Sequence, residues 1–202
     1  MEPPSPRATV VVSAVLIEGG LAIAAWLLGN WWGYPPGEAL RFTWPALGWG
    51  LAAVVPMLAL LFWIERSRWR PWRRLQALIR RQIAPLFVDC SYADLALISA
   101  LAGIGEEAMF RGVLLPSLGD WLGVIPAVVL TSLLFGAAHM LTPAYFVWAT
   151  VMGVYFSYLF LATENLLAPV IAHAVYDFLA LAHLVQKTRS RPGVIRIPDH
   201  AP

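Results

Sequence analysis

Ionisable residues form three short groups in otherwise apolar parts of the sequence: Glu106, Glu107 and Arg111; His139; and His173 with Asp177. A charged side chain inside a membrane is costly, so each one needs a partner or a function. Peptide hydrolysis requires an activated water molecule and a group that stabilises the oxyanion. A glutamate beside a histidine in a desolvated pocket can activate water, so these residue types favour a hydrolase.

The spacing of these residues predicts which of them share a helix face. Glu107 and Arg111 are four residues apart, so they can form an ion pair that lowers the cost of both charges. Glu106 lies about 100° round the helix and stays free for other contacts. His173 and Asp177 are also four apart, so the carboxylate can orient the imidazole or accept its proton.

Two further features bear on the site. Phe135 lies one helical turn before His139 and is expected to form a wall of the site that contacts substrate. One glutamate and two histidines are also a ligand set of catalytic zinc. This makes Glu106, His139 and His173 candidate zinc ligands, and the residues leave open whether the cofactor is zinc or absent.

Each group also has a structural interpretation. Glu107 with Arg111 is typical of an ion pair that locks helices together, and His173 with Asp177 is typical of a polar clasp between helices. A single histidine near a span end, such as His139, is typical of a hydrogen-bonded structural residue. The functional interpretation rests on the presence of all three groups in one small chain.

The composition indicates that the bilayer is the solvent of this chain. Of its 202 residues, 59% are hydrophobic and 13% are charged, about half the charged share of a soluble domain. Glu18 interrupts the first apolar segment, and we expect it to pair with another helix or to face a water-filled cavity. Segments of about 20 apolar residues can cross a bilayer, and six are present: Thr9–Trp32, Trp44–Ile64, Ala93–Leu118, Trp121–Met140, Pro143–Ala162 and Leu166–Gln186. We therefore predict an all-α fold, a polytopic transmembrane helix bundle of about six spans.

Depth along the predicted spans separates the groups. A rise of about 1.5 Å per residue, counted from the span ends, places Glu106 and His173 roughly 10 Å from the outer surface. The same count places His139 near the inner surface. The spans alone therefore do not predict that the groups meet.

A basic segment follows the second span. Seven of the 14 Lys and Arg residues lie between Arg66 and Arg81. Apolar residues recur there every three or four positions, at Trp69, Trp72, Leu75, Ile79 and Ile83. This pattern predicts an amphipathic interfacial helix on an anionic membrane surface.

The predicted organisation has four parts: two spans in 1–64, the basic cytoplasmic segment in 65–91, a catalytic four-span core in 92–187 and a disordered cytoplasmic tail in 188–202.

The basic residues also predict orientation and partners. With both termini in the cytoplasm, the basic segment and the tail lie inside, and the outer loops hold only Arg41. We expect an integral protein of a bacterial-type plasma membrane, whose partners are the lipid bilayer and a membrane-associated protein or peptide substrate. Nucleic acid is not expected, because membrane orientation explains the basic residues. The sequence indicates no oligomeric state.

At its three groups the chain resembles the CPBP family of intramembrane proteases. This family includes the type II CAAX prenyl endopeptidases and bacteriocin-processing or immunity proteins. The family pattern is E-E-x-x-x-R, then F-x-x-x-H, then H-x-x-x-N or D, on successive helices. Here it reads Glu106-Glu107-x-x-x-Arg111, Phe135-x-x-x-His139 and His173-x-x-x-Asp177. The resemblance covers roughly residues 93–186.

The resemblance implies roles for the first two motifs. Glu106 and His139 would activate the attacking water. Glu107 and Arg111 would hold the site together, with Glu107 as a candidate for substrate contact. Family members are described both as metalloproteases and as glutamate proteases without metal.

The third motif would bind the oxyanion through His173 and the residue four positions later. Many members have asparagine at that position, where this chain has Asp177. An amide can donate a hydrogen bond to an oxyanion, but an ionised carboxylate cannot. Asp177 is therefore either protonated or orients His173.

Three functions compete. The first is an intramembrane endopeptidase. The second is a non-catalytic membrane immunity or binding protein on the same scaffold, whose effect would survive Glu106→Ala and His139→Ala. The third is a transporter or proton relay, which predicts polar residues along a route and internal repeats. The polar groups cluster in short motifs and the sequence has no repeat, which favours the endopeptidase.

Overall fold

The computed structural model describes residues 5–190, and these residues form eight helices and no strand. The helices are α1 (Pro6–Trp32), α2 (Pro36–Ala39), α3 (Trp44–Arg66), α4 (Arg70–Phe87), α5 (Tyr92–Leu122), α6 (Val124–Ala138), α7 (Pro143–Thr163) and α8 (Leu167–Arg189). The prediction of an all-α helix bundle is confirmed.

Among the described residues, four helices are long and apolar enough to cross a membrane: α1, α3, α7 and α8. Helices α4 and α5 reach this standard only as a pair, and they are bent by 113° at the break between them. The described chain thus has four candidate spans, or five if the bent pair is one span, where the sequence predicts about six. Large apolar side chains on the outer faces, such as Trp26, Leu51 and Val151, are exposed and suit contact with lipid.

The boundary between α5 and α6 accounts for part of this difference. Trp121 and Leu122 end α5 instead of beginning the next span, and Gly123 turns the chain with a φ of 88°, which favours glycine. Helix α6 then has only 15 residues. Its rise is about 22 Å, less than the roughly 30 Å of a hydrocarbon core.

Helix packing brings the three motif-bearing helices together. Helix α5 packs against α1 and α8, and α6 packs against α7. Two glycines allow close approaches between these helices: a Cβ on Gly103 would lie 2.9 Å from Cβ of Ala174, and one on Gly153 would lie 2.9 Å from Cα of Ser132. Any larger residue would push these helices apart and with them the side chains of the site.

The basic segment forms the amphipathic helix α4. Its side chains Trp72 and Leu75 are buried in a cluster with Ile64 of α3, and Trp69 is exposed. The arginines of the helix are exposed. The prediction of an amphipathic helix is confirmed.

Helix α8 extends further than the sequence predicts. Thr188 and Arg189 are helical, although the sequence places the start of the disordered tail at residue 188. The Arg189 guanidinium donates to the backbone oxygens of Val88 and Cys90, at 2.8 and 2.9 Å. These bonds tie α8 to the turn between α4 and α5 and so keep the helix ordered to its end. Residues 191–202, the rest of the predicted tail, lie outside the described residues.

Candidate active site

The three groups predicted from the sequence lie together in the structure. Oε2 of Glu106, on α5, lies 3.5 Å from Nε2 of His139, which follows α6. Oε1 of Glu107 lies 2.8 Å from Nδ1 of His173, on α8. The depth count that separated His139 from the other groups is wrong, because α6 is shorter than the predicted span and ends within the bundle.

Glu107 is the centre of a buried polar network. Its Oε1 accepts hydrogen bonds from Nη1 of Arg111 and from Nδ1 of His173, both at 2.8 Å. Nη2 of Arg111 donates to the backbone oxygen of Gly153 at 2.9 Å. Glu107 and Arg111 are both 0% exposed. The ion pair expected within α5 therefore also joins α5 to α7 and α8.

Three phenylalanine rings surround the guanidinium of Arg111. Its central carbon lies 4.6 Å from the ring centre of Phe135, 5.3 Å from that of Phe156 and 5.8 Å from that of Phe110. Aromatic faces attract a cation, so these rings offset part of the cost of burying the charge. The ring of Phe135 also lies 4.5 Å from that of His139. Phe135 therefore contacts both the buried network and the histidine that follows it in the sequence.

His139 is positioned by the end of α6. The last carbonyl groups of a helix lack partners within the helix, and that of Phe135 accepts a hydrogen bond from Nδ1 of His139 at 2.8 Å. Because Nδ1 carries the hydrogen of this bond, Nε2 is the nitrogen left for proton transfer. It faces Oε2 of Glu106, which makes no hydrogen bond within residues 5–190. The two side chains can therefore take up a proton as a pair.

His173 is held from two sides. Glu107 binds its Nδ1, and the ring of Phe156 stacks on its imidazole with 4.9 Å between ring centres and 13° between planes. Its Nε2 lies 3.4 Å from Oδ2 of Asp177. The shorter contact shows that Glu107, more than Asp177, orients the imidazole. Asp177 instead lies beside the nitrogen that remains reactive.

A cavity of about 60 Å³ borders both histidines. Its polar lining consists of His139, His173 and Asp177, and its other walls are apolar or aromatic: Met57, Phe135, Tyr145, Trp148, Ala149, Met152, Phe156 and Tyr176. A cavity of about 10–15 Å³ suffices for one water molecule, so this cavity can hold water beside the two histidines.

The two neighbouring glutamates do not line this cavity. Glu106 reaches it only through His139, and Glu107 only through His173. Glu107 is therefore not placed for the substrate contact considered from the sequence. Both carboxylates act on imidazoles that themselves face the cavity.

The wall formed by α7 is the part of the site that the sequence analysis missed. Tyr145, Trp148, Met152 and Phe156 recur every three or four residues, which is the spacing of one helix face. That stripe was the available signal. Helix α7 contains no charged residue, so no motif distinguished the stripe from ordinary core or lipid-facing positions.

Glu18 of α1 lies beside the site. Gly105 allows α1 to approach α5 here, since a Cβ at that position would lie 2.5 Å from the backbone oxygen of Glu18. The carboxyl group of Glu18 is within electrostatic range of Glu106, His139 and His173. Its Oε2 makes no hydrogen bond within the described chain. Glu18 thus adds a further carboxyl group to the site from outside the three motifs.

The side chains named as candidate zinc ligands do not form a metal-binding group in this arrangement. Across residues 5–190, no three or more His, Cys, Asp or Glu side chains are disposed to hold a metal ion. Glu106 and His139 face each other, while Nδ1 of His173 is bound to Glu107.

The part of the chain that carries the motifs is similar to known proteins. Residues 90–179 match the family model of the type II CAAX prenyl endopeptidases described as Rce1-like. The matched range contains all three motifs. The resemblance of this range to the CPBP family is therefore confirmed.

A relative of the CPBP core is found among characterised proteins. The chain is 29% identical over 114 residues to CAAX prenyl protease 2 of Homo sapiens. The match covers 46% of this chain and 35% of the human protein, so it spans about a third of that relative's length. No solved structure matches the chain. Glu18 and the Met57 wall of the cavity lie outside the range that the CPBP family model covers.

Proposed function

We propose that this protein is an intramembrane endopeptidase that hydrolyses peptide bonds of membrane-associated proteins or peptides. The observation that supports this most is the pairing of Glu106 with His139 on one side of a small cavity and the placement of His173 on another. The site lies in a bundle with several candidate membrane spans. A polar, partly closed site among apolar helices suits hydrolysis beside the membrane anchor of a substrate.

The first step activates water. We expect a substrate water to bind in the cavity beside His139, within reach of the Nε2 atom that is paired with Glu106. As the water oxygen forms a bond to the peptide carbonyl carbon, one water proton passes to the His139–Glu106 pair. The carbonyl π electrons move to the oxygen, which becomes the oxyanion.

The second element stabilises that oxyanion. His173 lies between the carboxylates of Glu107 and Asp177, and these favour its protonated form. With Nδ1 donating to Glu107, the Nε2–H bond of the imidazolium can donate to the developing negative charge. Glu107 fixes the direction of this donor, and Arg111 balances the charge of Glu107.

The third step breaks the peptide bond. The tetrahedral intermediate collapses, its C–N bond breaks, and the nitrogen leaves with the proton that the His139–Glu106 pair received from water. Giving up this proton returns the pair to its starting state, and the new carboxyl group passes its own proton to the released amine or to solvent. Water supplies every atom that the reaction adds to the substrate.

The substrate class is inferred from similarity and from the cavity. The family model and the human relative are both described by activity on CAAX prenyl substrates. The lining of the cavity is largely aromatic and apolar, which suits an apolar residue next to the cleaved bond. We infer a CAAX-type C-terminal sequence, or a bacterial anchor or leader sequence, as the substrate.

The location in the cell is inferred from charge. The exposed arginines of α4 follow the candidate span α3 in the sequence, and the positive-inside rule assigns them to the cytoplasm. We infer a bacterial-type plasma membrane with both termini in the cytoplasm.

The experiment that tests the activity uses the full chain reconstituted in liposomes. Its substrates are peptides that end in a CAAX sequence, each with and without a prenyl group, and membrane-anchored leader peptides. The wild type is compared with Glu106→Ala and with a matched control, Glu38→Ala, whose side chain is exposed on α2. Metal content is measured on the same samples.

Cleavage by the wild type and the control, but not by Glu106→Ala, is the expected result. Equal cleavage by Glu106→Ala would overturn the role of Glu106. If the wild type cleaves no peptide while a cellular effect survives Glu106→Ala, the protein is a non-catalytic binding or immunity protein. Cleavage that requires stoichiometric zinc would replace the proposed water activation by a metal mechanism.

A further inference from the structure

The proposed oxyanion site has a shortage of hydrogen-bond donors. His173 supplies one N–H bond, while the other polar group beside it, Asp177, can only accept when it is ionised. Acyl-transfer sites usually direct more than one donor at the oxyanion, and removal of one costs about 100- to 1,000-fold in kcat. A second donor should therefore border the same cavity.

Tyr145 occupies such a position. Its ring lies 6.3 Å from that of His139, at 68° between planes, and it lines the cavity together with His173 and Asp177. Its backbone is fixed at the start of α7, where its amide donates to Oγ1 of Thr142 at 3.1 Å. The ring therefore enters the cavity from a well-defined helix end.

The hydroxyl group of Tyr145 is free to bind a substrate. It makes no hydrogen bond within residues 5–190, whereas Tyr155 of the same helix donates its hydroxyl to the backbone oxygen of Ala53 at 3.1 Å. A phenolic hydroxyl that borders a cavity without a protein partner can donate a hydrogen bond to a bound substrate.

A second tyrosine in the cavity is less well placed. Tyr176 lines the cavity from α8, but within residues 5–190 its ring contacts neither histidine, whereas the ring of Tyr145 contacts that of His139. Tyr145 therefore borders the cavity beside the pair that activates water and shares the cavity with His173, where the reacting carbonyl must sit.

We propose that Tyr145 is a catalytic residue whose hydroxyl donates a hydrogen bond to the oxyanion, as the second donor beside His173. The proton stays on the tyrosine throughout, so the bond-making and bond-breaking steps are unchanged. This inference rests on the proposed endopeptidase function and adds a residue from a helix that carries none of the three motifs.

The test compares Tyr145→Phe with Tyr158→Phe in the liposome assay, on a peptide that the wild type cleaves. Tyr158 lies on the same helix and is 68% exposed, away from the cavity, so its variant controls for the loss of a hydroxyl. A phosphinic analogue of the cleaved peptide, which carries a tetrahedral oxyanion, is used as inhibitor. Thermal unfolding of each variant is recorded.

For Tyr145→Phe we expect kcat to fall about 100-fold or more, with KM changed by less than about threefold. The inhibition constant of the phosphinic analogue should rise by a similar factor. A kcat within about threefold of wild type, or an unchanged inhibition constant when kcat falls, would overturn the role of Tyr145. If the wild type cleaves nothing, the proposed function fails instead, so the two failures are distinguishable.

Discussion

Two adjacent glutamates on α5 have opposite environments. Glu107 is 0% exposed, and its Oε1 receives two hydrogen bonds of 2.8 Å, from Arg111 and His173. Glu106 is 8% exposed, and its nearest ionisable contact is His139 at 3.5 Å, with no hydrogen bond to its Oε2 in the described chain. The helix directs the two side chains about 100° apart, so one carboxylate faces α7 and α8 and the other faces α6 and α1.

These environments suit Glu107 to positioning another residue and Glu106 to proton transfer. A carboxylate whose Oε1 is already held by two strong donors has little freedom to take up a proton during a reaction. A carboxylate with one long contact to an imidazole can change its protonation state without breaking a network. We therefore propose that the locked glutamate, Glu107, fixes the direction of His173 and that the free glutamate, Glu106, takes part in proton transfer.

The largest expected effect comes from removing Arg111, the charged partner of Glu107. Arg111→Met leaves the Glu107 carboxylate buried without its counter-charge. Removal of one partner of a buried ion pair typically costs about 3–5 kcal/mol, so we expect the free energy of unfolding to fall by about that amount and cleavage to be lost. Chemical unfolding in detergent micelles measures the first, and the liposome assay measures the second.

The control for this change is Arg68→Met, which removes an exposed arginine outside the network. The double variant Glu107→Gln with Arg111→Met should recover part of the stability, because it leaves no unpaired buried charge. If the free energy of unfolding of Arg111→Met lies within about 1 kcal/mol of that of the wild type, the network does not hold the helices together.

The second largest effect is expected from a substitution of Glu106. Glu106→Gln keeps the shape of the side chain but removes its ability to accept a proton. We expect kcat to fall by about 100- to 10,000-fold, while the free energy of unfolding changes by less than about 1 kcal/mol. The control is Glu38→Gln on α2. A loss of stability like that of Arg111→Met, with kcat largely retained, would show that both glutamates are structural.

The sequence predicted the contacts within each motif better than the contacts between motifs. The spacing of Glu107 and Arg111 predicted their ion pair, since four residues place two side chains on one helix face. Apolar segments and basic residues predicted the all-α bundle and the amphipathic helix. These features depend on local spacing and composition, which a single sequence contains.

Features that depend on packing between helices were not predictable in this way. The bond from Glu107 to His173 joins residues 66 positions apart, and nothing in either motif identifies the other as its partner. The meeting of Glu106 with His139 depends on how α6 packs against α5. The cavity wall on α7 depends on which face of an uncharged helix points inward, and lipid-facing and buried faces there have the same composition.

The smallest expected effect concerns a third carboxylate, Asp177, which lies between the two environments. Its side chain is 34% exposed, and its Oδ2 lies 3.4 Å from Nε2 of His173. Because Glu107 already orients His173 through Nδ1, the charge of Asp177 is not needed for that purpose. Asp177→Asn also adds an N–H donor beside the proposed oxyanion. We therefore expect kcat to stay within about threefold of wild type, measured in the liposome assay beside Glu106→Gln. A fall in kcat of about 100-fold or more, with unchanged thermal unfolding, would show that Asp177 orients His173. The contrast between Glu107 and Glu106 would then have to include Asp177 as a third carboxylate that acts directly on the imidazole.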